Sequence, residues 1–162
     1  GDVTYHGPGQ LVVYPILRLA DYGDDVHLYA RMIEETAIRL LADYGISAER
    51  VKGYPGVWVG PAKIAAIGVA IKGGVTMHGL AINVDPNLAH FGMINPCGIG
   101  KPVTSMRAVL GQPVDVGEVQ RHYVQCFAEV FRVETVERFL ERVEDYEQEA
   151  SAVADSAGAK HR

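Results

Sequence analysis

The segment that most restricts how this chain folds is residues 63–84. There two runs rich in Ile, Val and Ala, KIAAIGVAIK and VTMHGLAINV, are separated by Gly73-Gly74 alone. Paired glycines accept the positive φ values of a two-residue hairpin turn, so the runs pair as adjacent antiparallel strands. The turn also sets the register: Gly68 faces Gly79, Ala66 faces Ala81 and Ala70 faces Met77. One face of the hairpin is then nearly bare of side chains, while the other carries Ile, Val and Leu. Such a strip either receives a chain-like ligand or lets a helix pack closely, and the residues alone leave both readings open.

Around this hairpin the pattern alternates. QLVVYPIL, Gln10 to Leu17, reads as a strand ending near Pro15. Asp24 to Tyr44 reads as a helix with Asp24 or Asp25 as N-cap, an apolar stripe through Val26, Ala30, Ile33, Ala37, Leu40, Leu41 and Tyr44, and Gly45 as its stop. Tyr54-Pro55-Gly56 is expected to form a tight turn, with Trp58 on the returning strand. Asp85 to Lys101, dense in Pro, Gly and Asn, reads as a long irregular loop, a type of segment that often carries function. A second helix is expected over Asp115 to Phe131, opened by Asp115 and Glu118, and a third, amphipathic one over Glu134 to Glu147. From Glu149 the composition predicts a frayed or disordered tail.

At 162 residues the chain has material for one core, and its longest apolar run, Ile64 to Ile71, covers eight residues. Roughly 20 are needed to span a bilayer as a helix, so no membrane partner is expected. Residues 134–162 hold eight acids and four bases, whereas the first 133 hold twelve acids and eleven bases. That nearly neutral body lacks the basic footprint of a nucleic-acid binder. Gly1 stands where a methionine would begin a reading frame, and no charged-then-apolar leader follows, so the chain is expected to start inside a longer frame. Two cysteines without CxxC spacing build neither a disulfide framework nor a zinc site, which makes a reducing cytoplasm the expected compartment.

Those cysteines sit in opposite settings. Cys126 lies on the apolar stripe of Val119, Tyr123, Phe127 and Val130 and reads as a small buried hydrophobe. Cys97 lies between Pro96 and Gly98, where loop amides could face a charge developing on an attacked carbonyl; an inert loop thiol is the alternative. A thiol of ordinary pKa is only a few per cent ionised near neutrality, so a nucleophilic Cys97 needs a base or cation. Lys63, at the head of an apolar strand, is one candidate, or else simply a lysine that snorkels outward. His6, His78 and His90 are others, although alternation places His78 with Leu80 and Ile82 as a core residue. His6 sits in a turn, TYHGPGQ, of the kind that approaches a ligand with backbone instead of side chains. No pair among His6, His78, His90 and Cys97 has a helical ligand spacing, and no metal is expected.

Four motifs, in order, carry a family resemblance. GDVTYHGPGQL (Gly1 to Leu11), WVG through KIAAIG (Trp58 to Gly68), HGLA with Asn83, and NPCGI (Asn95 to Ile99) together resemble the lipoyl(octanoyl) transferases of protein lipoylation over roughly the first 130 residues. The resemblance implies an α/β fold of the α+β type, a mixed β-sheet flanked by helices as in the biotin and lipoate protein ligase catalytic domains. It implies a catalytic dyad of Cys97 and Lys63, and a substrate-binding surface from Gly1, Asp2, Val3, Thr4, Tyr5 and His6, from Ala66, Ile67 and Gly68, and from His78, Gly79, Leu80 and Ala81. The implied reaction takes an octanoyl or lipoyl group from acyl carrier protein, through a cysteine thioester, to a lysine of an acceptor. The acceptors it implies are the apo lipoyl domains of 2-oxoacid dehydrogenase complexes and the glycine cleavage H protein. No metal, nucleotide or redox cofactor is required. Residues 1–133 would form the catalytic domain, 134–148 the added helix and 149–162 the tail.

Three features depart from the family pattern. The Arg-Gly-Gly that usually opens the first motif is cut short at Gly1, and the acidic helix and tail have no counterpart. Strict alternation also places Lys63 on the face opposite Gly68, so a bend or bulge near Pro61 is required to bring it to the bare face. Two rival readings stand beside the transferase: a lipoate or biotin type of protein ligase that consumes ATP, and a non-catalytic module binding acyl carrier or lipoyl domains.

Overall fold

Five strands form one sheet: β1 (Gln10–Val13), β2 (Glu49–Val51), β3 (Tyr54–Val59), β4 (Ala62–Lys72) and β5 (Val75–Asn83). The computed structural model describes residues 5–93 and 101–137. Within them the strand order is β1-β5-β4-β3-β2, every neighbouring pair is antiparallel, and a single parallel bridge joins Lys63 to Val103. The central hairpin has the expected register, with Gly68 opposite Gly79, Ala66 opposite Ala81 and Ala70 opposite Met77. Its turn works for the anticipated reason: Gly73 and Gly74 both take positive φ, 59° and 79°.

Helices α1 (Val26–Asp43) and α3 (Val116–Phe131) pack together and cover one face of the sheet. Asp25 caps α1, its Oδ1 accepting from the His27 and Leu28 amides at 2.7 and 3.2 Å, and Asp115 caps α3 by accepting from Glu118 N at 2.7 Å. The buried side of α1 runs through Tyr29, Ile33, Ala37, Leu40 and Leu41, while Val26 at the helix start is exposed. These side chains meet Val57, Ile64, Ala65, Leu80 and Ile82 from the sheet and Val119, Tyr123, Cys126 and Phe131 from α3. Each large aliphatic residue so buried contributes about 1.5–3 kcal/mol.

Several expectations are corrected. The tight turn is at Lys52-Gly53, where Gly53 has φ 83° and the Val51–Tyr54 pair closes the loop; Pro55 and Gly56 lie inside β3. Pro55, which has no amide hydrogen to donate, is tolerated because the β2–β3 ladder is irregular there, and the Gly56 amide donates to Glu34 Oε1 at 3.2 Å. The loop after β5 contains a 3-10 helix, Leu88–Met93, and is followed by a short helix α2 (Met106–Leu110) capped by Ser105. Residues 133–137 have no regular structure, and the rest of the expected third helix and the tail lies outside the described residues.

β1 stops at Val13, two residues before Pro15. Beyond it the fully buried Thr76 replaces the broken ladder: its Oγ1 donates to Pro15 O at 2.8 Å and accepts from Leu17 N at 2.8 Å, and Tyr29 Oη also donates to Pro15 O. Thr76→Val is isosteric but strands the Leu17 amide. We expect a loss of about 1–3 kcal/mol in urea unfolding with an unchanged m-value.

Candidate active site

The face of the sheet away from α1 and α3 holds the bare strip, and one irregularity decides what joins it. In the β3–β4 ladder Val57 pairs with Ala65 but Trp58 pairs with Lys63, which leaves Ile64 as an extra residue. This bulge lets Ile64 and Ala65, consecutive in the chain, both enter the core. Lys63 is thereby turned to the opposite face together with Trp58, which is 1% exposed yet outside the core cluster. The irregularity that the lysine requires is present, three residues beyond Pro61, and it places Lys63 on the same side as Ala66 and Gly68.

The Lys63 ammonium lies over the Trp58 indole, 5.0 Å from the ring centroid. Trp58 Nε1 donates to Tyr54 O at 3.1 Å, the two rings meet edge to face at 6.1 Å, and Lys101 Nζ sits 5.1 Å over the Tyr54 ring. A cation over an aromatic face is attracted by the ring quadrupole. The Lys63 backbone is engaged as well: its amide donates to Pro102 O and its carbonyl accepts from Thr104 N, both at 2.9 Å. The segment that returns after Cys97 is therefore anchored on Lys63 itself.

A line of amides ties the motifs together. Gly7 N donates to Gln10 Oε1 at 3.0 Å, Gln10 Nε2 to Asn83 Oδ1 at 2.9 Å, and Asn83 Nδ2 to Thr104 O at 2.9 Å. Asn83 is buried, so each of these partners relieves a desolvation cost. The glycine turn serves the same end: a Cβ at Gly9 would collide with the Asp85 carbonyl, and Gly9 O accepts from the Val84 and Asp85 amides. The close backbone approach expected toward a ligand is at Gly9 an approach to the chain itself. Tyr5 bonds His90 Nδ1 at 2.6 Å and packs edge-on against Phe91, joining the first motif to the 3-10 helix that precedes Cys97.

The expected site residues divide as follows. Lys63, Ala66, Gly68 and Ala81 share the open face, whereas the Ile67 and Leu80 side chains pair with each other on the helix side. His6 is exposed. His78 is not the core residue that alternation predicts, because a φ of 60° turns its side chain outward, where it meets Tyr14 edge-on. At Gly79 the close neighbour is neither a ligand nor a helix but the end of β1: a Cβ there would collide with Val13 O and with Pro15. At Gly68 nothing among the described residues stands within 4 Å of such a Cβ. Cys97, Gly1, Asp2, Val3 and Thr4 lie outside the described residues. The sequence reading missed the roles of Trp58, Tyr54 and Lys101; the only trace of them was an aromatic pair placed beside the lysine strand.

A groove of about 400 Å³ opens elsewhere, between β1 and α3, lined by Val12, Tyr14, Tyr123, Val124 and Phe127 among others. It lacks Lys63 and every motif residue beyond Leu11, so the chemistry is assigned to the open sheet face instead.

A five-stranded antiparallel sheet with helices on one face, and a lysine beside a side-chain-poor strip on the other, define an α+β fold. Solved structures share it. The bi-partite lipoate protein ligase from Thermoplasma acidophilum matches with a TM-score of 0.67 at 18% identity, over 92% of this chain and 62% of that one. Biotin protein ligase from Aquifex aeolicus matches with a TM-score of 0.60 at 17% identity, over 76% and 53%. The sequence narrows the assignment: the chain belongs to the lipoyl protein ligase A/B catalytic domain family, whose model matches residues 1–128. Among curated relatives, the octanoyltransferase of Caldanaerobacter subterraneus subsp. tengcongensis is 49% identical over 160 residues, 98% of this chain and 66% of its own length. That of Chloroflexus aurantiacus is 53% identical over 138 residues, 83% of this chain and 62% of its own length. The chain thus spans slightly less than two thirds of the relatives it matches. Among the described residues no helix is long and apolar enough to cross a membrane.

Proposed function

We propose that this chain carries the catalytic machinery of an octanoyltransferase, with Cys97 as nucleophile and Lys63 as its proton partner. The observation that carries the reading is the double use of Lys63. Its side chain is bulged onto the open face, and its backbone holds Pro102 and Thr104. Cys97 lies five residues before Pro102, at most about 18 Å of extended chain, so the connection permits its thiol to reach Lys63.

In the first half-reaction Lys63 takes the thiol proton, and the Cys97 sulfur attacks the thioester carbonyl of an octanoyl group carried on acyl carrier protein. The carrier thiol then departs with the proton returned by Lys63. In the second half-reaction Lys63 takes a proton from the amine of an acceptor lysine on an apo lipoyl domain, the amine attacks the Cys97 thioester, and an amide forms. The test is incubation with octanoyl carrier protein followed by intact-mass measurement. One octanoyl group per chain is expected without ATP; loading that demands ATP means a ligase, and no covalent product at all means a binding module.

The acyl chain is assigned to the strip of Ala66, Gly68 and Ala70, which is exposed on the open face. Each buried methylene contributes about 0.8 kcal/mol, so shortening the donor from octanoyl to butanoyl weakens binding by about 3 kcal/mol. Gly68→Val adds bulk to the strip at a position where a Cβ has no described neighbour within 4 Å, and we expect it to remove most of that chain-length preference while the fold is retained. Gly79→Val is the contrasting variant, expected to lower stability by displacing Val13 and Pro15. An unchanged preference in folded Gly68→Val would place the acyl chain elsewhere.

A further inference from the structure

Trp58 is the chain's only tryptophan, it is 1% exposed, and it turns its ring to Lys63 on the open face instead of joining the helix-side core. We propose that Trp58 is a positioning residue that holds Lys63 as an ammonium. The proposed dyad then rests as a Cys97 thiolate beside a charged lysine, not as two neutral groups. This rests on the transferase reading and deepens it.

The physical argument starts from location. Without the bulge at Ile64, Lys63 would enter the core and Trp58 would have no cation to face. With it, the lysine is half-buried on an indole whose orientation is fixed by the Trp58 Nε1 bond to Tyr54 O and by the Tyr54 ring. The indole face offers negative electrostatic potential, which attracts the ammonium and has no comparable hold on the neutral amine. Proton transfer breaks the Cys97 S–H bond and forms an N–H bond on Lys63, with no other reactant. By stabilising one product of that transfer, the ring raises the thiolate fraction. Among the described residues the other titratable groups on this ledge are Tyr54 and Lys101, whose ammonium lies over the Tyr54 ring and one aromatic ring removed from Trp58. The cycle closes with the same pair. Lys63 gives up its proton to the departing carrier thiol, regains one from the acceptor amine, and is an ammonium beside a thiolate again once the amide has formed.

Because Trp58 is the sole tryptophan, feeding fluorinated tryptophan labels this ring alone and changes its electrostatics while nearly preserving its shape. Two measurements decide the proposal. In protein carrying 5-fluorotryptophan and Tyr54→Phe, which removes the neighbouring phenol that titrates in the same range, the single fluorine resonance is expected to shift in one alkaline titration step. That step should vanish in Lys63→Met and persist in Lys101→Met; persistence in Lys63→Met would overturn the proposal. In single-turnover octanoyl loading, substitution from indole to tetrafluoroindole is expected to lower the saturating rate about tenfold. The half-saturating donor concentration should stay unchanged, and loading should recover as pH rises and Cys97 ionises unaided. Equal rates along the fluorinated series would make Trp58 a packing residue only. Failure of unlabelled protein to load would overturn the transferase reading, and the fluorine titration would then still decide the lysine–indole contact by itself.

Discussion

Cys97→Ala is expected to abolish octanoyl loading, a loss of about 10³-fold or more, while Cys126→Ala loads within about twofold of the unmodified chain. The first magnitude follows from removing the only atom that can form the thioester. The second follows from where Cys126 lies. Its side chain is 6% exposed on α3, and its Sγ–H donates to Asp43 Oδ2 at 3.6 Å. Burial first, and then the neighbouring Asp43 carboxylate, push the thiol up to about 11. Near neutral pH such a thiol is almost wholly un-ionised, so it lacks the thiolate needed for attack. Peptide mapping after loading is the check: octanoyl on the peptide containing Cys97 is expected, and label on Cys126 alone would reverse the assignment. The same contrast predicts that a small alkylating reagent at pH 8 modifies Cys97 first and reaches Cys126 only on unfolding.

The parts of this fold legible in the sequence are those specified by local chemistry. Gly73-Gly74 determined a register that the ladder reproduces pair by pair, and Asp25 and Asp115 marked helix starts that the capping bonds verify. Tyr54-Pro55-Gly56 misled because a proline-glycine pair signals a turn wherever it occurs. Lys52-Gly53 had the better placement: its glycine supplies the positive φ and lets Val51 face Tyr54. His78 misled for a related reason, since alternation presumes extended backbone and one residue at φ 60° breaks it. The candidate site was legible as a set of motifs and not as an arrangement. Nothing in KIAAIG states that Ile64 is the residue left over when β4 pairs with β3. That depends on where Trp58 and Val57 settle, a long-range packing choice that gives the core two neighbouring side chains and the open face a lysine.

The bulge gives the lysine prediction its force. Lys63→Met keeps most of the aliphatic length that packs across Trp58 and removes only the amine, so the fold and the Pro102–Thr104 anchor, which uses backbone, should persist. Both half-reactions are expected to slow by about 10² or more, the usual scale for a positioned acid-base group. Their pH dependence should differ. In the first half-reaction the missing amine leaves Cys97 to ionise by itself, so the deficit relative to the unmodified protein should shrink as pH rises through the ordinary thiol range near 8.5. In the second, the thioester is already formed and the incoming lysine amine, ordinarily near 10.4, must lose its own proton, so the deficit should persist to higher pH. Quenched-flow mass measurement of loading, and transfer to an apo lipoyl domain from chain preloaded by long incubation, separate the two. Near-normal loading by folded Lys63→Met at neutral pH would remove Lys63 from the mechanism. A deficit that ignores pH in both steps would assign the lysine to holding the substrate instead of moving protons.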